Sequence, residues 1–300
     1  MGKKMNKNKQ IFETVNRNEL IKKINISFYE DDIKLLSDSL DYLNKLVINK
    51  DINNIVKITN ILFVLYPRNQ RIIELITPYL SEFYDLNLKE ELVKNYNSAI
   101  KYMLEITSKM KVTSMIDLGA GVGSWLKAGN HLNVSKLTGV EKYYENTLDF
   151  DVQILEQDIC KPIYEKFDLA ISIEVAEHLN PKMSKIFIDN ITSCSDVVLF
   201  GAGSIFQSGD AHMNCRNNSY WVELFKNRGY ECIDFFRAKF WNDESISKDY
   251  VQNTFLYIKE NSKYGNTFKS EILFDIDHPS LINAHYLNKF RKNKILFNEL

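Results

Sequence analysis

The sequence predicts an α/β fold, with a mainly parallel sheet of seven strands whose last strand runs antiparallel, preceded by a helical N-terminal segment. Three observations predict it. Short apolar runs alternate with helical stretches from residue 115 onward, a glycine-rich turn follows the first run, and no glycine occurs between Gly2 and Gly119. Repeated strand–helix units make a parallel sheet, because a parallel neighbour is reached only through a crossover. The chain divides at this level into residues 1–90, 91–260 and 261–300: helical segment, sheet domain and C-terminal extension.

The helical segment is read from its apolar spacing. Ile33, Leu36, Leu40, Leu43 and Val47 step by three or four, and Ile72, Leu75, Ile76, Tyr79, Leu80 and Phe83 repeat the pattern after Pro67. Such stripes face a core. Leu92, Tyr96, Ala99, Met103 and Ile106 give one more helix, leading into the sheet. Seven strands are then expected at Met115–Leu118, Leu137–Val140, Val152–Leu155, Asp168–Ile173, Val197–Phe200, Glu231–Phe236 and Thr254–Ile258. Residues 237–253 read as a polar loop too short for a usual crossover, which makes the final strand antiparallel. Beyond Asn261 the periodicity fades into a Lys- and Asn-rich end.

Composition narrows the function classes. Hydrophobic residues are 45% and charged residues 26%, ordinary values for a globular protein. A net charge of −1 supplies no field for nucleic acid or an anionic membrane, so neither partner is expected. Cys160, Cys194, Cys215 and Cys232 form no CxxC pair, which leaves reduced thiols rather than a zinc knuckle or a disulfide scaffold. The start, MGKKMNKNKQ, lacks the apolar stretch of a signal peptide, and the longest apolar run, Ile61–Tyr66, is too short to span a bilayer. The expected address is the cytoplasm.

The chemistry begins at SMIDLGAGVGSWL, residues 114–126. A buried strand runs into Gly119, Gly121 and Gly123, where a helix should start. Glycine permits positive φ and lets the backbone close on a ligand, and the first amides of the helix then face that ligand. The third glycine comes one residue early for the dinucleotide fingerprint. Asp117 lies just before the glycines. Glu141 ends the next strand, where an acid can accept hydrogen bonds from both hydroxyls of a ribose.

The ordered series DLGAGVG, then VE at 140–141, QDI at 157–159 and FDLAISIEVAEHL at 167–179 resembles class I S-adenosylmethionine-dependent methyltransferases, which are Rossmann-like. The similarity spans about residues 95–260 and is closest to the small-molecule branch with an E-V-x-E-H-L segment. The resemblance implies S-adenosylmethionine as cofactor, with Asp117 and the turn Gly119, Gly121 and Gly123 holding its methionine part. It further implies Glu141 on the ribose, Asp158 on the adenine amino group with Ile159 stacking nearby, and Glu174 bordering the methionine moiety.

Methyl transfer from a sulfonium needs an acceptor lone pair held in line, and a hydroxyl acceptor also needs a base. His178, in EVAEHL, and His212, after the fifth strand, compete for that role. The glycines Gly201, Gly203 and Gly209 suggest a flexible loop over the site, and the helix after it is expected to be capped by Ser219 and stopped by Gly229. No metal is expected; Asp210 with His212 is too little for a ligand set. His212-x-Asn214 followed by Ser-Tyr-Trp, with Phe240-Trp241, Tyr250 and Gln252-Asn253-Thr254 later, is similar to methyltransferases found beside or fused to glycosyltransferases. That similarity implies a hydroxyl of a sugar or glycan as acceptor. Trp221, Trp241 and Tyr250 read as packing before they read as sugar platforms.

The alternatives are a natural-product or other small-molecule methyltransferase and a non-catalytic binding protein on the same fold. A nicotinamide oxidoreductase would need the dinucleotide glycine spacing. A base-methylating enzyme would carry Asn/Asp-Pro-Pro-Tyr/Phe after the fourth strand, and a 2′-hydroxyl methyltransferase a Lys-Asp-Lys-Glu set; neither is found. Three uses are open to the helical segment: a lid, an acceptor-recognition domain, or the interface of a homodimer.

Overall fold

A computed structural model describes residues 32–51, 70–78, 88–144, 148–205, 211–268 and 275–279, together with positions 54, 55, 58, 59, 62, 207, 209 and 281. The expected helical stripe at Tyr79, Leu80 and Phe83, residue Asp210 and the end of the chain lie outside them. The chain divides into two compact units, Met1–Glu82 with Asn283–Leu300, and Phe83–Ile282. In the first, helices α1 (Asp32–Ile48) and α2 (Gln70–Ile76) pack on one another, burying Leu40, Leu43 and Leu46 from α1 and Ile72, Ile73 and Ile76 from α2. No helix among the described residues is long and apolar enough to cross a membrane.

The second unit is the expected Rossmann-like α/β sheet. After α3 (Leu88–Thr107) come β1 (Ser114–Leu118), α4 (Ser124–His131), β2 (Lys136–Val140), β3 (Gln153–Leu155) and β4 (Leu169–Ile173). Two short 3₁₀ turns, Ala176–His178 and Pro181–Met183, lead into α5 (Ser184–Cys194) and β5 (Val197–Gly201). Then follow α6 (Asn218–Lys226), β6 (Tyr230–Ile233), α7 (Arg237–Phe240), α8 (Lys248–Asn253) and β7 (Phe255–Lys259). The strand order is β3-β2-β1-β4-β5-β7-β6, with β7 antiparallel to both neighbours and the other pairings parallel. Winding reverses between β1 and β4. At such a switch point the two crossovers diverge and leave a crevice at the carboxyl ends of the strands.

The central strands are apolar on both sides because both faces are covered. Met115, Leu169, Ile171 and Leu199 face Ala99, Tyr102, Met103 and Ile106 of α3 and Leu126 of α4. Ile116, Ala170, Val198 and Phe200 face Phe187, Ile188 and Ile191 of α5 and Trp221 and Phe225 of α6. Trp221 is 1% exposed and packs against Phe200 with its ring tilted, so it is core and not a sugar platform. Tyr250, 7% exposed, stacks on Trp125.

Two local expectations are corrected. Residues 237–253 are not a polar loop but carry α7 and α8, and β6 stops at Ile233 rather than Phe236. Asp234 turns back to accept from Arg237 Nε and Nη2 at 2.9 and 2.6 Å, both side chains being buried. Ser219 does not cap α6. Asn217 occupies the cap position, and the Ser219 amide donates to the Asp275 carboxylate at 3.0 Å. Gly229, at φ 73°, stands just past the end of that helix.

Candidate active site

The carboxyl ends of β1 and β2 build the first half of the site. The Gly119 and Ala120 amides donate to the Val140 carbonyl at 2.8 and 3.1 Å, which ties the glycine turn to the end of β2. Gly119 has φ 83°, and a Cβ there would lie 2.6 Å from both methyls of Val175. At Gly123, φ 81°, a Cβ would likewise lie 2.6 Å from a Leu148 methyl, whereas at Gly121 it would meet nothing within 4 Å, so it is at Gly121 that the turn presents bare backbone to open space. The Gly121 amide donates to Glu141 Oε2 at 3.0 Å, and the Lys142 and Tyr143 amides donate to Oε1 at 2.8 and 3.1 Å. Each carboxylate oxygen has two lone-pair directions. Oε1 is therefore filled and Oε2 keeps one acceptor position.

Asp117 sits beneath this turn, 1% exposed, with Oδ2 buried and lacking a hydrogen-bond partner among the described residues. Burial, reinforced by the charge of Glu141, pushes its carboxyl up to about 8. A buried acceptor without a donor is costly unless a ligand supplies one.

Asp158 and Ile159 lie beyond β3. The Asp158 carboxylate accepts from the Cys160 amide at 2.8 Å and is half-buried, while Ile159 is 8% exposed. Asn190 of α5 clips this loop in place. Its Nδ2 donates to the carbonyls of Ile159 and Lys161 at 2.6 and 2.8 Å, and its Oδ1 accepts from the Ile163 amide at 3.0 Å. A buried Asn inside an amphipathic helix is the one signal in the sequence for this clip.

The second half of the site follows β4. Glu174 has φ 57°, a left-handed conformation costing a non-glycine residue about 1–2 kcal/mol. Its amide donates to the Gly201 carbonyl at 2.9 Å, and its carboxylate accepts from Gln207 Nε2. Asn253 Nδ2 donates to Gln207 Oε1 at 2.7 Å, and Gln252 Nε2 donates to Ser204 Oγ at 2.8 Å. The Gln252-Asn253 pair therefore braces the loop after β5 against Glu174. Burial raises the Glu174 carboxyl well above its ordinary value, with Glu177 and Asp249 adding to the rise. Burial likewise pushes Glu177 up to about 7. The Gly203 amide and the Glu174 carboxyl stand close to Glu177, yet neither makes a well-formed hydrogen bond to its two buried oxygens.

His178 and His212 do not occupy rival positions. Their rings stand edge-on with centroids 4.7 Å apart, and ligand atoms of Glu177, His178 and His212 all fall within 4.8 Å of one another. Asn214 explains the meeting. It is fully buried, its amide donates to the Glu177 carbonyl at 2.8 Å, and its Nδ2 donates to Ala176 O and Ser184 Oγ at 3.1 and 2.9 Å. The loop carrying His212 is thereby latched onto the turn carrying Glu177 and His178. Gly209 clears the space, since a Cβ there would come 2.1 Å from His212 Nε2. Glu177 and Asn214 enter the sequence reading only as members of the EVAEHL and His-x-Asn segments, and Gln207 not at all, because contacts across three loops define their roles.

No family model and no curated protein sequence matches the chain. Among solved structures it is similar to the methyltransferase domain of bacterial CtHen1-C at 16% identity, over 55% of this chain and 98% of that one, with a TM-score of 0.44. The plantazolicin methyltransferase BpumL, complexed with a pentazolic desmethylPZN analogue and SAH, matches at 12% identity, over 70% and 98%, at 0.40. Magnesium protoporphyrin IX methyltransferase (ChlM) from Synechocystis PCC 6803, with bound SAM, matches at 12%, over 58% and 85%, at 0.41. At these values the fold rests on this chain's own strand order, and its ligand must be sought in its own residues.

Proposed function

We propose that the chain is an S-adenosylmethionine-dependent methyltransferase that O-methylates a hydroxyl of a sugar or glycan. One observation carries the donor: a buried, unpartnered Asp117 oxygen lies under a bare glycine turn whose amide is joined to a strand-end carboxylate with one acceptor position left. An amino-acid ammonium would satisfy Asp117, and a ribose hydroxyl would satisfy Glu141 Oε2. Asp158 and Ile159, fixed by Asn190, would meet the adenine. The group when bound supplies a methyl already activated by a positive sulfonium.

The acceptor side is assigned to the His178–His212 pair. Val175, three residues before His178, packs on Gly119, so turn and histidines share one edge of the sheet. The sugar reading is supported by the similarity of the His212-x-Asn214 and Gln252-Asn253-Thr254 segments to methyltransferases found beside or fused to glycosyltransferases; here Asn214 latches the His212 loop, and Gln252 and Asn253 brace the loop after β5.

Calorimetry with S-adenosylmethionine, S-adenosylhomocysteine and NAD tests the donor. The two sulfur ligands should bind and NAD should not, and Asp117→Ala and Glu141→Ala should each remove detectable binding in a protein that stays folded. Wild-type affinity in both variants ends the proposal.

A further inference from the structure

We propose that Glu177, His178 and His212 form a binding site for one divalent first-row transition-metal ion. Three ligands converge there, one carboxylate and two imidazoles, with ligand atoms within 4.8 Å of one another. In a tetrahedral site with bonds of about 2.1 Å the ligand atoms stand about 3.4 Å apart, so closure by no more than about 1.4 Å completes the set. Such a shift is a side-chain rotation, not a backbone change.

Glu177 is the independent evidence. It is 0% exposed, and among the described residues neither of its oxygens has a well-formed hydrogen bond, the Gly203 amide and the Glu174 carboxyl only standing close. A carboxyl stripped of water and so poorly partnered is destabilising, and a bound cation offsets that penalty. The surroundings also have the character of an outer shell, whose polar groups fix the orientation of ligands. Cys215 Sγ lies 3.6 Å from His212 Nδ1, Asn214 pins the loop through Ser184, and Glu174 is held by Gln207 behind Glu177.

Two imidazoles disfavour Mg²⁺ and Ca²⁺, which prefer oxygen, and favour a later first-row ion such as Co²⁺ or Zn²⁺, with Mn²⁺ the weakest binder of the three. Three protein ligands leave positions open. The consequence for catalysis rests on the methyltransferase reading: an acceptor hydroxyl taking an open position would become more acidic, and His178 and His212 would act as ligands rather than as bases.

The test uses the full chain, cleared of metal with a chelator and titrated with Mn²⁺, Co²⁺ and Zn²⁺ in the calorimeter, with no methyl donor present. One equivalent should bind, Co²⁺ should give a visible d–d absorption band, and Glu177→Gln and His212→Ala should each weaken binding by about 100-fold or more. Absence of saturable binding of all three ions to the wild type overturns the site, as does wild-type affinity in both variants. S-adenosylhomocysteine titrated into the same protein separates the two claims. Binding of it without metal binding removes the ion alone, and metal binding without it removes the donor assignment alone.

Discussion

Two demands meet on the Asp117 carboxyl: burial favours its neutral form, and a bound ammonium would favour the charged one. Its value in the folded chain, about 8, lies above the ordinary 3.8. The folded chain therefore keeps a proton that the unfolded chain releases between those values. The stabilisation this gives is complete below about pH 3.8 and is lost as pH rises through about 8. Asp117→Asn removes the charge while keeping the shape. It is expected to gain stability over the wild type as pH rises from 5 to 8.5, by on the order of 2 kcal/mol, since a tenfold change in proton affinity is worth about 1.4 kcal/mol and relaxation takes back part. Thermal melts across that range check it, and a constant difference in Tm between variant and wild type would show that Asp117 does not titrate with folding. Donor affinity should fall in the same variant. At this scale the sequence is informative where function is local: Asp117, the three glycines and Glu141 each sit at a strand end that periodicity alone locates. It is silent on the three amides that already occupy Glu141, because those come from a turn whose shape only the fold sets.

Among the elements, the central strands β1, β4 and β5 are legible because burial on both faces makes each a near-continuous apolar run, and the edge strands β3 and β6, with Gln153 and Glu231 exposed, are marked instead by their place between helical stretches. The helices α7 and α8 are not, since four and six residues are too few for a 3.6-residue period to stand out from a loop. Their burial comes from Phe240, Tyr250 and Val251, spaced too irregularly to mark a face in advance. The meeting of His178 with His212 is hidden for another reason: α5 and β5 lie between them in sequence, and only the parallel pairing of β4 with β5 brings their following loops together. Asn214 then sets the register of that meeting. Asn214→Ala leaves Ser184 Oγ and the Ala176 carbonyl without their donor, at a cost of about 1–3 kcal/mol. The larger expected effect is on turnover, with kcat reduced by about 10-fold or more while the dissociation constant for S-adenosylhomocysteine holds, because Asn214 bonds to Glu177, Ala176 and Ser184 rather than to the glycine turn or Glu141. A variant with lowered Tm and undiminished kcat would reduce Asn214 to a packing residue.

For the whole molecule, the site residues Asp117, Glu141, Asp158, Glu177, His178 and His212 all fall in the unit Phe83–Ile282. That unit has a core on each face of its sheet, with α3 covering one side and α5 with α6 the other. At about 200 residues it is large enough to bury a self-sufficient core. A chain cut to residues 83–282 is thus expected to unfold in one cooperative transition and to bind S-adenosylhomocysteine within about threefold of the full protein. A ligand that binds only the folded state stabilises it by about 2.7 kcal/mol at one hundred times its dissociation constant. For a unit of this size that amounts to a rise in Tm of about 5–10 °C. The truncated chain should show this rise, and Asp117→Ala in the same background should abolish it. A fragment that melts without cooperativity, or that folds and gives no Tm rise, would mean that residues 1–82 or 283–300 contribute to the fold or to the donor site.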